Sequence, residues 1–306
     1  MDYLRTIYSL LFISHTHPLT HHLHTQMSRI PSLMPGIRVG STASSVPRAP
    51  ARSKAVLFGL NYAHTADLKL EGCVNDVINM SRYLSQFGIP CELYTDDNET
   101  TTASTTGKGI VTKLYELAAE SFKQNLEFVW IHYSGHGSYL ADKSGDELDR
   151  RDEALVPTDF QQSGLISDDY LQSIFRCFNP KTRVVCVFDC CHSGTIGDIK
   201  FSWEGTPPRP TVENARCLAR APIITLSGSL DNQTAADAYN VLKDNKFSGA
   251  MTSSLLIALT RAPQLRSNVV NLLGAVRSLL KQMRFQQVPK LCSTYDLRRD
   301  ARFVTF

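Results

Sequence analysis

Short, wholly apolar segments alternate with segments of helical periodicity along most of this chain. Apolar runs of strand length occupy residues 55–60, 128–133, 183–188 and 222–226, with weaker ones at 91–94 and 288–292. Apolar residues at helical spacing predict helices over residues 76–87, 109–122, 168–177, 248–260 and 268–283. Strands that are apolar on both faces and alternate with helices are typical of an open, mostly parallel β-sheet flanked by helices on both faces. The sequence therefore predicts an α/β fold whose functional residues gather beyond the carboxyl ends of the strands.

Two stretches interrupt this alternation, and the N-terminus does not share it. Residues 139–169 are rich in acidic and small side chains, and residues 201–220 show no sustained period, so both are predicted to be irregular. Residues 1–53 carry five prolines among small and polar residues. We interpret residues 1–53 as a loosely ordered N-terminal extension and residues 54–306 as one domain.

Length, charge and cysteine usage exclude several classes of protein. A net charge of +3 over 306 residues gives no extended basic surface, so a nucleic-acid partner is not expected. No apolar run approaches the roughly 18 residues that cross a bilayer, so no membrane span is expected. The eight cysteines do not follow the spacing of a disulfide framework. They favour a reducing compartment and a cytoplasmic location.

The N-terminal extension contains an unusual histidine cluster. Five of the nine histidines fall within residues 15–24, with no cysteine or carboxylate beside them. We interpret this stretch as a solvated leader rather than a metal site. Met27 is an alternative start that would remove the cluster.

Two segments join an apolar strand to a glycine turn that carries a candidate base or nucleophile. They read HYSGHG over residues 132–137 and DCCHSG over residues 189–194. If the strands persist to their ends, side-chain alternation places Ser134 and His136 on one face, and likewise Asp189 and Cys191. Cys190 then points into the core. The alternative is that Cys190 and Cys191 form a vicinal disulfide or pack as inert thiols.

These motifs together resemble the metacaspases, cysteine peptidases of the caspase-hemoglobinase-like fold, and most closely the short type I forms of kinetoplastid protozoa. Further matches are GCVND over residues 72–76, SGSLDNQTAAD over residues 227–237 and GAMT over residues 249–252. The resemblance implies that Cys191 is the nucleophile and His136 its general base. It also implies that the backbone near Gly137 stabilises the oxyanion. His192 is the rival base, although it is expected to point away from the neighbouring Cys191.

The resemblance also implies a specificity for basic residues. Its pocket for the residue before the scissile bond is lined by Cys73, Asp76, Ser134 and Asp189. Two carboxylates in a partly desolvated pocket favour Arg or Lys in the substrate. The alternative for Asp76 is a helix N-cap. We expect no comparably simple structural role for Asp189.

Calcium is the cofactor that the resemblance implies. Asp152, Asp168, Asp169 and Asp198 coincide with the positions where calcium-responsive metacaspases hold Ca²⁺, and hard oxygen ligands suit that ion. Without the resemblance, these residues would be a solvated loop and the start of a helix. Zinc is not expected, because the cysteines lack paired C-x-x-C spacing.

The resulting prediction is a monomeric, calcium-dependent cysteine endopeptidase that cleaves proteins after Arg or Lys. Self-cleavage is expected at a basic residue near the leader junction or in the 201–220 stretch, and the candidates are Arg48, Arg52, Lys54, Arg209, Arg216 and Arg220. The leader is a candidate restraint on the active site. The alternatives are a catalytically silent caspase-like scaffold in stress or protein quality control, and another caspase-fold peptidase such as a legumain or paracaspase relative.

Overall fold

The computed structural model describes residues 49–141, 151–190, 196–205, 208–228, 237–239, 242 and 247–304. The strands that it describes are β1 (Ser53–Gly59), β2 (Cys91–Thr95), β3 (Phe128–Ser134), β4 (Gly137–Ala141), β5 (Arg151–Leu155), β6 (Ile166–Ser167), β7 (Arg183–Asp189), β8 (Phe201–Glu204), β9 (Arg209–Val212), β10 (Ile223–Ser227), β11 (Asp237–Tyr239), β12 (Phe247–Gly249) and β13 (Lys290–Ser293). The α-helices are α1 (Cys73–Ser85), α2 (Gly107–Lys123), α3 (Phe160–Ser163), α4 (Asp168–Phe175), α5 (Ala250–Arg261) and α6 (Val269–Gln282). Short 3₁₀ turns occupy Ala66–Leu68, Thr102–Thr105 and Pro263–Ser267.

An eight-stranded sheet lies at the centre, in the order β2-β1-β3-β7-β10-β13-β8-β9. The first five strands in this order pair in parallel, and β13, β8 and β9 continue the sheet antiparallel. Two smaller antiparallel sheets join β4, β5 and β6, and β11 and β12. The predicted α/β fold with a mostly parallel central sheet is confirmed.

Side chains on both faces of the parallel strands are buried. On one face, Leu57, Trp130 and Val187 belong to the same apolar cluster as Met80 of α1 and Leu273 of α6. Their neighbours in the strands point to the opposite face because strand side chains alternate, and Val56, Ile131 and Cys186 there are buried as well. Each large apolar side chain buried in this way contributes about 1.5–3 kcal/mol. This two-sided burial explains why the strands read as continuous apolar runs.

Strand register brings both glycine-turn motifs to one edge of the sheet. Ser134 pairs with Gly59 of β1 on one side and with Asp189 of β7 on the other. The three residues end their strands together. The residues that follow β3 and β7 in the chain therefore start from adjacent points at the carboxyl edge.

Both stretches that were predicted to be irregular contain strands. Within residues 139–169 the chain forms β4, β5 and β6, and within residues 201–220 it forms the β8–β9 hairpin, so the prediction of an irregular linker is wrong. Trp203 of β8 is fully buried, and its Nε1 donates to Ser293 Oγ of β13 at 2.8 Å. This anchor extends the central sheet beyond β13.

Helix α1 begins three residues earlier than predicted. Gly72 is its N-cap residue, and Asn61 Oδ1 accepts hydrogen bonds from the backbone N–H groups of Cys73 and Val74. This side chain from the preceding loop satisfies the free donors of the first turn. The predicted boundary missed it because Asn61 is distant in sequence.

Most of the predicted N-terminal extension, including its histidine cluster and Met27, lies outside the described residues. The described chain begins at Ala49, whose N–H donates to the carbonyl of Phe87 at 3.0 Å. The division at residue 53 remains a prediction. Among the described residues, no helix combines the length and apolar character needed to cross a lipid bilayer. Among the described cysteines, Cys91, Cys177, Cys186 and Cys217 carry free thiols.

Candidate active site

His136 lies in the turn between β3 and β4 and is buried, with 6% of its surface exposed. Its Nε2 lies 2.8 Å from the carbonyl oxygen of Leu68. A carbonyl oxygen only accepts, so Nε2 carries the proton, and the neutral imidazole keeps its lone pair on Nδ1. The geometry therefore assigns Nδ1 as the nitrogen able to take a proton from a nucleophile.

The backbone of His136 is held as firmly as its ring. Its N–H donates to the hydroxyl of Tyr62 at 2.9 Å, and its carbonyl accepts from the hydroxyl of Tyr133 at 2.9 Å and from the N–H of Val156 at 3.2 Å. Tyr62 also places its ring against the imidazole, with the ring centroids 4.7 Å apart. Tyr62 and Leu68 contribute to the site, and neither was predicted from the sequence.

Asp76, in the first turn of α1, is 1% exposed, and its carboxylate points toward the ends of the strands. Asp76 Oδ2 accepts from the hydroxyl of Ser134 at 2.6 Å, and both carboxylate oxygens accept from the N–H of Gly249, at 2.8 and 3.0 Å. Asp76 does not cap its own helix, because Gly72 occupies the N-cap position. The structure thus brings together two of the predicted pocket residues, Asp76 and Ser134.

Asp189 lies at the end of β7 and faces the same space. Its Oδ2 accepts from the backbone N–H of Thr252, in the first turn of α5, at 2.8 Å. Asp189 therefore does have a simple structural role, contrary to the expectation from sequence, because it caps a helix N-terminus from outside the helix. Gly249 marks how close the two carboxylates are: a Cβ there would lie 2.7 Å from Asp76 Oδ2 and closer still to Asp189 Oδ2.

The N-terminus of α5 offsets only part of this charge. A helix end is equivalent to roughly half a positive charge, whereas two carboxylates carry two negative charges. The N-terminus of α5 alone therefore does not neutralise the two carboxylates in front of Gly249. A guanidinium or ammonium group is the ligand that such a space favours.

The remaining predicted site residues differ in what the structure says of them. Cys73 is buried beside Asp76 at the start of α1, and Gly137 opens β4 directly after His136, opposite Leu155. Cys191 and His192 lie outside the described residues. Cys190 is fully buried, as expected for a residue that packs in the core, and the alternative of a vicinal disulfide with Cys191 lies outside the described residues.

Three of the four predicted calcium ligands are buried on neighbouring elements. Asp168 Oδ2 accepts from the N–H of Glu153, which directly follows Asp152 in β5, at 2.7 Å. Asp198 accepts a hydrogen bond from the amide of Gln172, one helical turn after Asp168 in α4. Asp169 is exposed.

The donor chemistry of these aspartates suits Ca²⁺, but they do not form a ready-made ligand set. Within the described ranges, no three His, Cys, Asp or Glu side chains are grouped so that they could hold a metal ion. The carboxylates of Asp168 and Asp198 are instead engaged by N–H groups of the protein. These hydrogen bonds orient the carboxylates, and each oxygen that accepts one bond keeps a second lone pair.

Comparison with solved structures supports the fold. A protein of Geobacter sulfurreducens superposes with a TM-score of 0.57 at 22% identity, covering 83% of this chain and 99% of that chain. Caspase-1 from Spodoptera frugiperda superposes with a TM-score of 0.51 at 15% identity, covering 84% of this chain and 94% of that chain. At these identities the likeness establishes the caspase-like fold alone.

Comparison of sequences establishes the family. Residues 53–200 match the model of the metacaspase, peptidase C14 domain. Metacaspase-1B of Neurospora crassa is 32% identical over 83% of this chain and 69% of its own length. Metacaspase-3 of Trypanosoma brucei brucei is 32% identical over 82% of this chain and 73% of its own length. Together with the caspase-like fold and the placement of both motifs at one sheet edge, these matches show that the chain belongs to the metacaspases, the peptidase C14 family of cysteine endopeptidases.

Proposed function

We propose that this metacaspase cleaves protein substrates after Arg or Lys, with Cys191 as nucleophile and His136 as general base, and that calcium stimulates it. The observation that carries the proposal is the pair of buried carboxylates, Asp76 and Asp189, that meet in front of Gly249 beside His136. An acidic substrate side chain would be repelled there, whereas a guanidinium group would replace lost hydration with charge-assisted hydrogen bonds.

The proposed reaction is a two-step acyl transfer. His136 Nδ1 takes the thiol proton of Cys191, and the thiolate attacks the carbonyl carbon of the scissile peptide. The imidazolium then gives that proton to the leaving amine, the C–N bond breaks and a thioester remains. Water hydrolyses the thioester with His136 again acting as base. Backbone N–H groups of Gly137 and Cys191 are proposed to stabilise the oxyanion.

The hydrogen bond from His136 Nε2 to Leu68 supports this assignment. The same bond strengthens when the ring becomes an imidazolium, because a charged donor bonds more strongly than a neutral one. The bond therefore stabilises the imidazolium that forms in each half-reaction, and it leaves Nδ1 as the nitrogen that accepts and returns the proton.

Calcium stimulation is proposed through Asp152, Asp168, Asp169 and Asp198. Their carboxylates supply the hard oxygen ligands that Ca²⁺ prefers, and three of them are buried on adjoining segments. The ion, when bound, would neutralise this negative charge and order the segments that carry it. The protein is further proposed to be a monomer in a reducing, cytoplasmic compartment, with no nucleic-acid partner.

The test is hydrolysis of matched fluorogenic peptides that end in Arg, Lys or Asp. Wild type and Cys191→Ala are assayed side by side with millimolar calcium or a chelator. We expect the Arg and Lys peptides to be cleaved, the Asp peptide to remain intact and the variant to be inactive. Calorimetry of calcium binding to wild type and Asp198→Asn, in the absence of substrate, tests the metal separately.

Each part of the proposal has its own contrary result. Cleavage after Asp would overturn the assigned specificity, and full activity of Cys191→Ala would overturn the nucleophile. Equal calcium binding by wild type and Asp198→Asn would remove that residue from the metal site. An inert Cys191 with no turnover of any peptide would instead favour the scaffold alternative.

A further inference from the structure

The loop between β1 and α1 contacts the proposed base on several sides. Tyr62 packs its ring against that of His136 with the two rings tilted by 42°, its hydroxyl accepts from the N–H of His136, and Leu68 accepts from Nε2. The Tyr62 hydroxyl in turn donates to the carbonyl of Val156 at 2.6 Å. Burial raises the pKa of Tyr62 well above its usual value, so the phenol keeps the proton that it donates.

The turn after β3 has the space that this arrangement needs. A Cβ on Gly135 would lie 3.0 Å from the Tyr62 hydroxyl oxygen and 2.8 Å from that of Tyr133. Glycine at this position lets the two phenols reach the backbone of His136. The tyrosine contact and the histidine turn are therefore fitted to each other.

Tyr62 adopts this position at a cost to its backbone. Its φ is 53°, in the left-handed region that a bulky residue rarely occupies. Such a conformation is unfavourable for a residue other than glycine and persists only where the surroundings stabilise it. The conformation therefore requires compensating contacts.

Asp96, buried just after β2, supplies these contacts. Its two carboxylate oxygens accept from the N–H groups of Asn61, at 2.9 Å, and Tyr62, at 2.5 Å. Hydrogen bonds to a carboxylate are stronger than those to a neutral acceptor, so both bonds act to offset the backbone cost. The side chain of Asn61 also accepts from the first turn of α1. The loop between β1 and α1 is therefore held at its start by Asp96 and at its end by Asn61.

We propose that Tyr62 is a positioning residue for His136 and that Asp96 acts on the same base through Tyr62. The proposal rests on the proposed role of His136. Tyr62 fixes the position and orientation of the His136 imidazole, and Asp96 fixes the backbone conformation of Tyr62. Small displacements of a base from its productive position lower the rate of the chemical step without weakening substrate binding.

The first test is Tyr62→Phe, which keeps the ring against His136 and removes the hydroxyl. We expect kcat to fall about tenfold, the effect of one well-placed hydrogen bond, while KM for an Arg peptide stays unchanged. The matched control is Tyr94→Phe, which removes a hydroxyl that bonds Glu92 on strand β2. The control is expected to keep wild-type kcat. An unchanged kcat in Tyr62→Phe would overturn the proposal.

The second test asks whether Asp96 acts through Tyr62. Asp96→Asn loses one of the two acceptor oxygens, and the exposed neighbour Asp97→Asn is its control. We expect Asp96→Asn to lower kcat with KM unchanged, and the double variant with Tyr62→Phe to lose much less than the product of the single effects. Losses that multiply independently would overturn the link between the two residues.

A measurement without turnover separates this proposal from the proposed function. Iodoacetamide alkylates Cys191 as the thiolate, and mass spectrometry follows that site. We expect about tenfold slower alkylation in Tyr62→Phe than in wild type, matching the expected loss in kcat. Equal alkylation rates would overturn the positioning role whether or not peptides are cleaved. A wild type that cleaves no basic peptide, yet shows this dependence on Tyr62, would contradict the specificity and leave the positioning role supported.

Discussion

Gly249 lies against the carboxylates of Asp76 and Asp189, which stabilise the fold and are proposed to bind the substrate. Both carboxylates accept hydrogen bonds from the start of α5, so they stabilise the fold, and both lie against Gly249. The backbone of Gly249 has φ −63° and ψ 135°, values that any residue adopts. Glycine is therefore needed here for space and not for conformation.

Substitution of Gly249 by alanine is predicted to impair both recognition and folding, because the same carboxylates bond the start of α5. The new Cβ would lie 2.7 Å from Asp76 Oδ2, so the carboxylates must shift. We expect kcat/KM for Arg peptides to fall at least about tenfold, as loss of one charge-assisted hydrogen bond would cause. Steady-state kinetics and thermal denaturation measure the two effects.

The matched control is Gly274→Ala in helix α6. A Cβ at Gly274 meets nothing within 4 Å, and alanine is the better helix former. We expect this variant to gain about 0.5–1 kcal/mol of stability with unchanged kinetics. Wild-type kcat/KM in Gly249→Ala would show that the carboxylates in front of it do not recognise the substrate.

At the scale of elements, burial on both faces made the parallel strands predictable. β1, β3, β7 and β10 read as continuous apolar runs, and each was located to within one or two residues. The β8–β9 hairpin was missed because its four-residue strands carry Glu204, Arg209 and Pro210, and only pairing with β13 reveals them. Tertiary pairing of this kind has no local signal.

The residues of the site also differ in whether the sequence could predict them. Motifs at strand ends located His136, Ser134 and Asp189, because topology brings such ends together, whereas Asp76 of helix α1 was named only through the family resemblance. Leu68 and Thr252 contribute backbone groups, which no side-chain pattern marks. Tyr62 was missed because its role depends on a left-handed backbone that Asp96 holds from a different strand.

Element structure also predicts where self-cleavage occurs. Lys54 and Arg209 lie within paired strands, and the carbonyl of Arg52 accepts the N–H of Glu127. A peptidase binds its substrate in extended form, so these bonds are shielded while the sheet is intact. Arg216 and Arg220 are exposed between β9 and β10, outside any strand.

We therefore expect cleavage after Arg216 or Arg220 when wild type is incubated with calcium. Intact mass and N-terminal sequencing of the fragments identify the bond. The double variant Arg216→Gln, Arg220→Gln is expected to stay uncut in this region, and Cys191→Ala is the inactive control. Fragments that begin at Ala55 or Pro210 would contradict the prediction.

At the scale of the whole molecule, the ends of the central sheet bear on its oligomeric state. β13 is not an edge, because β8 pairs with it and β9 lies beyond β8. The outer strand β9 carries the exposed Arg209 and the half-buried Pro210, which has no N–H to donate. Charged residues and proline on an edge strand prevent pairing with a second sheet.

The protected edge at β9 supports the predicted monomer, while β2 forms the other edge of the sheet. Size-exclusion chromatography with light scattering should give a mass near 34.1 kDa at every concentration tested. Pro210→Val restores a donor and raises the strand propensity beside the exposed Val212, so this variant is expected to associate as concentration rises. Dimers of the wild-type chain at micromolar concentration would show that another surface, and not the edge at β9, sets the oligomeric state.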